Sequence, residues 1–124
     1  MVGWMLRALV ALGLLGSAWV HWVVWLDWAG DMPVVGPSFL INVVAGVVIA
    51  IAVLAWRSPL PVLAAIAFGL ATLAAYALSL TVGFFGVQEQ FATSEEVWGL
   101  ITELGCVVFG TALLLTRDRT RAAV

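Results

Sequence analysis

Lysine is absent from this chain and arginine occurs only five times, so there is no basic patch with interleaved aromatics of the kind that reads nucleic acid. A single cysteine, Cys106, excludes an internal disulfide, a CxxC redox pair and a cysteine zinc site. A single histidine, His21, cannot supply a bis-histidine haem site within one chain. Charged residues make up only 10% of the sequence, too few to solvate the surface of a globule. Nucleophile–base pairs, phosphate loops and metal motifs are missing too, which argues against an autonomous enzyme and against a cofactor held by this chain alone; whether a metal binds is left open.

What is present is apolar. Of 124 residues 65% are hydrophobic, and the mean hydropathy is +1.17. Long apolar runs with few charges are the signature of membrane-spanning helices. The sequence divides into four of them, over about 4–26, 38–56, 60–83 and 95–115, with a short flexible tail at 116–124. The expected fold is therefore all-α: a single transmembrane domain built as an antiparallel, up-down four-helix bundle. The first run spans about 22 residues and ends in tryptophans rather than in a small-residue cleavage site. That favours a retained helix over a signal peptide, whose apolar core is roughly 7–15 residues.

Local signals punctuate the runs. Trp19, Trp22, Trp25 and Trp28 recur at every third position where the first run ends, and indole rings collect at membrane–water interfaces. Pro37 opens the second run, and Ser58-Pro59 marks the start of the third as N-cap and first helical residue. Thr93-Ser94-Glu95-Glu96 reads as a capping box before the fourth. Gly13, Gly16 and Ser17, and again Gly46 and Ala50, form small-residue strips that let helices approach closely in lipid.

Charge sets the expected orientation. With four spans, Arg7, Arg57, Arg117, Arg119 and Arg121 all fall on one side, joined only by Asp118. Asp27, Asp31, Glu89, Glu95 and Glu96 fall on the other. Arginine-rich segments stay in the cytoplasm, so both termini are expected there. The Ala-, Val-, Leu- and Gly-rich, lysine-free composition suggests a GC-rich bacterial genome, so with four spans the expected location is the bacterial cytoplasmic membrane.

Four polar side chains stand out inside the apolar runs. Glu103 lies about eight residues into the fourth run, roughly 12 Å below the outer surface at ~1.5 Å per residue. His21 lies about six residues from the outer end of the first, roughly 9 Å down by the same rise. Asn42 is about one turn into the second, and Tyr76, with Ser79, is one to two turns from the outer end of the third. Each helix thus places a polar group in one outer slab. Buried ionisable residues in membranes commonly mark ion, proton or ligand sites. Interhelical polar bonds that fix helix register are the bland alternative. The candidate site is accordingly His21, Asn42, Tyr76 and Glu103, opening to the extracytoplasmic side. Cys106, three residues beyond Glu103, reads as a small core hydrophobe.

Met5-Leu6-Arg7-Ala8-Leu9, continuing through Gly13-Leu14-Leu15-Gly16-Ser17-Ala18 to His21, resembles the first helix of DoxX-like proteins, small four-helix bacterial membrane proteins. Some of those are associated with oxidoreductase or respiratory complexes. The resemblance implies an accessory or interaction subunit of a larger bacterial membrane complex, meeting a protein partner or a second copy through helix faces. Gly36-Pro37-Ser38-Phe39-Leu40-Ile41-Asn42 is similar to the helix-two asparagine segment of fluoride channels, and Phe84-Phe85 resembles their paired phenylalanines. The Thr-Thr-Phe-Ser run of that family is absent. From the residues alone, the alternative to a subunit is a small transporter or a ligand- or cation-binding protein centred on Glu103 and His21.

Overall fold

The computed structural model describes residues 2–87 and 94–122, with side chains as far as Thr116 in the last helix. The described chain is helical: α1 (Val2–Asp27), α2 (Val35–Ala55), α3 (Pro59–Leu80) and α4 (Ser94–Ala122), with a single 3-10 turn at Ala29–Asp31 between the first two. All four are long and apolar enough to cross a membrane.

The helix boundaries follow from local chemistry. Ser58 caps α3 by accepting from the Leu60 N–H at 3.2 Å, and Pro59 takes the first helical position, as the sequence indicates. Pro37 does not open α2, which starts at Val35; it sits in the first turn instead. The change is tolerated because no first-turn N–H has a partner inside the helix. Helix α3 stops at Leu80, before the expected Gly83, where Gly83 turns to φ 93° and donates to Leu78 O at 2.7 Å. Phe84 and Val87 then exchange two backbone hydrogen bonds of 2.9 Å around Phe85 (φ 45°) and Gly86 (φ 88°). Two successive positive φ values make a mirror-image tight turn, an unusual conformation for phenylalanine. At the far end, α4 runs on to Ala122, so the segment read as a tail from 116 is helical over 116–122. Of the expected capping box, Ser94 is the first residue of α4 and Thr93 lies outside the described residues.

Antiparallel packing is set by small residues. A Cβ added to Gly13 would lie 2.9 Å from Thr102 O, and one on Gly69 would lie 2.8 Å from Glu103 O. Both faces of α4 are thus pressed backbone-to-backbone, against α1 on one side and α3 on the other. Gly46 meets Leu14 and Ala18 of α1 in the same way. The core joins Val10, Ala11, Leu14, Ala50, Val53, Ala65, Phe68 and Cys106, all buried. Cys106 is fully buried, in keeping with a core hydrophobe. Arg7 donates to Val53 O at 2.5 Å, placing a cation on the carbonyl end of α2. Arg57 lies over the Trp4 ring at 5.9 Å on the same end of the bundle. Outward faces are apolar, with Trp19, Ile41 and Ile51 each at least 60% exposed.

Candidate functional site

At the opposite end the helices part. Helices α1 and α4 stay in close contact, while α2 and α3, tethered by the short connection through Arg57 and Ser58, touch least of the neighbouring pairs. The space between them is a cavity of about 860 Å³. Its floor is Phe68, which also belongs to the core. Among its exposed lining residues are Ile41 of α2 and Ala71 of α3 on the side, and Leu26, Asp27, Trp28 and Glu95 at the end of the bundle.

All four sequence candidates line this cavity: His21 from α1, Asn42 from α2, Tyr76 from α3 and Glu103 from α4. Glu103 is 4% exposed, and its Oε1 accepts from the Ser17 hydroxyl at 3.3 Å. His21 Nδ1 lies 2.8 Å from Ser17 O. A carbonyl only accepts, so Nδ1 carries the hydrogen and Nε2 of the neutral ring is left as an acceptor. The imidazole is held edge-on by Phe39, with ring centroids 4.7 Å apart. Ser17 therefore links histidine and glutamate, the hydroxyl serving one and the carbonyl the other.

Asn42 is different. It is 8% exposed, and neither its Nδ2 nor its Oδ1 finds a hydrogen-bond partner among the described residues. Leaving a buried amide unpaired costs about 1–3 kcal/mol. The amide is therefore buried without bonding another helix among the described residues.

Two contributors escaped the sequence reading. In sequence Ser17 belongs to a small-residue strip, and Thr72 is an isolated hydroxyl in the third run. The Thr72 hydroxyl interacts with the Glu103 carboxyl and bonds Phe68 O at 2.9 Å, one turn back. Both stand four residues before a named candidate, Ser17 before His21 and Thr72 before Tyr76, and so share its helix face. That spacing was the available signal. Asp27, Glu95 and Glu96 also line the cavity, and apart from His21 no basic side chain does so among the described residues. Nor do any three His, Cys, Asp or Glu side chains group in a metal-binding arrangement among those residues.

The tryptophan series divides. Trp22 and Trp25 stack with centroids 5.4 Å apart and planes within 9°, while Trp28 tilts against Phe39 at 6.3 Å. Only Trp28 of the series lines the cavity. The chemistry on offer is an acceptor-rich pocket with apolar and aromatic walls, one buried carboxylate and one unpaired amide. No protein-family model, curated protein or solved structure matches the chain.

Proposed function

We propose that this chain is a multi-pass protein of the bacterial cytoplasmic membrane that binds a small molecule in the cavity lined by His21, Asn42, Tyr76 and Glu103. Asn42 carries the reading. A buried amide with both polar atoms unpaired among the described residues, in the wall of a cavity that a carboxylate and an imidazole also line, fits a ligand better than it fits interhelical glue. Glue would have closed those hydrogen bonds between helices. Membrane insertion is supported by four spans of sufficient length and by the apolar residues on their outward faces. The arginine distribution supports cytoplasmic termini, which puts the cavity in the outer leaflet.

Native mass spectrometry of the protein, purified from its own membrane in mild detergent, tests this. The expected spectrum shows the chain carrying a small extra mass that is lost when Ala75, on the cavity wall, is replaced by Phe. Co-purification at fixed ratio with a larger enzyme, with no small adduct, would overturn it. That result would favour the accessory subunit implied by the DoxX-like first helix.

A further inference from the structure

The cavity volume and its polar inventory narrow the ligand class. About 860 Å³ is far more than a bare ion needs and lies within the range of drug-sized ligand pockets. Most of the wall is apolar or aromatic, including Val20, Phe39, Phe68 and Phe84, so the ligand's body is apolar. The polar atoms, by contrast, lean one way. Glu103 offers a carboxylate and His21 offers Nε2, and the Asn42 amide, buried and unpaired among the described residues, stands in the same wall. Asp27, Glu95 and Glu96 add negative charge, and no arginine lines the cavity among the described residues.

Resting on the ligand-binding reading above, we propose that the cavity binds protonated organic amines: molecules with one N–H-bearing cationic head and an apolar or aromatic body. The head is recognised by the Glu103 carboxylate and the His21 acceptor, and by the unpaired Asn42 amide once its side chain turns into the cavity, through charge-assisted hydrogen bonds. The body lies among the aromatic rings, whose faces also attract cations. An acid would face four carboxylates without a counter-charge, which excludes anions.

The test uses the full chain in nanodiscs of zwitterionic phosphatidylcholine, so that anionic lipid contributes no background. Three probes share one ring system: 1-naphthylmethylamine, its N,N,N-trimethyl analogue and 1-naphthalenemethanol. Binding is measured by equilibrium dialysis. The amine is expected to bind saturably at one site per chain, at least tenfold more tightly than either analogue. Glu103→Gln is expected to weaken the amine at least tenfold while leaving the alcohol within about twofold, which also shows that the variant is folded. Asn42→Leu is expected to weaken the amine severalfold. Equal binding of amine and alcohol, both lost in Ala75→Phe, would overturn the amine assignment while leaving a ligand cavity. Amine binding that survives Ala75→Phe would overturn it as well, since the site would lie elsewhere. Absence of binding by all three probes to the native chain would refute the amine class, and the adduct in native spectra would then decide separately whether the cavity binds anything.

Discussion

Asn42 and Glu103 are both buried polar residues, yet they stand in different energetic positions. Glu103 has Ser17 and Thr72 beside it, so removing its charge disturbs a small network. Asn42 leaves two polar atoms open among the described residues, so removing its amide disturbs no hydrogen bond there. Replacing a buried unsatisfied group by an apolar one of similar size is neutral or stabilising. Asn42→Leu is therefore expected to keep or raise the unfolding free energy, by up to about 1 kcal/mol, in an SDS denaturation titration. A loss of ~1 kcal/mol or more would show that the amide is bonded in the native membrane state and acts as register glue. Stability and amine binding would thus move in opposite directions in this one variant.

At the scale of the helix, the site depends on how tightly α4 is pressed between its neighbours. Gly69 faces the backbone of Glu103 itself, and a methyl there would come within 2.8 Å of Glu103 O. Backbone cannot swing aside as a long side chain can, so α3 and α4 must separate. Gly69→Ala is expected to lower stability by about 1–3 kcal/mol in the same titration and to weaken ligand binding by displacing the Glu103 carboxyl. Gly105→Ala, whose added methyl meets only the Phe109 ring at 3.7 Å, serves as the neutral control on α4. Equal loss in the two variants would mean that helix contact at Gly69 is not what positions Glu103.

The sequence carried the four helices because each apolar run is long, and residues such as Pro37, Ser58, Pro59 and Gly83 mark the connections between them. It also carried the similar level of His21, Asn42, Tyr76 and Glu103 along their helices, since rise per residue converts position into height along a helix directly. It did not carry their convergence. Each helix is apolar nearly all round, so hydrophobic phase gives no sense of which face turns inward. Glycine contacts at Gly13, Gly46 and Gly69 decide that rotation, and they depend on partners far away in sequence. The divergence of α2 from α3 that makes the cavity is likewise a tertiary property.

For the whole molecule the unequal ends are the governing feature. Arg7 and Arg57 sit at the end where α2 and α3 are joined, and Asp27, Glu95 and the cavity sit at the other. Arginine-rich segments resist translocation, so this polarity should fix insertion with the cavity outward. Single-cysteine labelling checks it. Val82, 82% exposed in the α3–α4 connection, and Trp56, 54% exposed beside Arg57, provide one site at each end. Native Cys106 is fully buried and stays silent as the background. In intact spheroplasts, Val82→Cys is expected to react with a membrane-impermeant maleimide, whereas Trp56→Cys reacts only after permeabilisation. The reverse pattern would place the cavity on the cytoplasmic side, and its ligand would then have to come from the inner leaflet. Labelling of both sites in intact cells would mean that the arginines do not set a single orientation. The protein would then insert both ways.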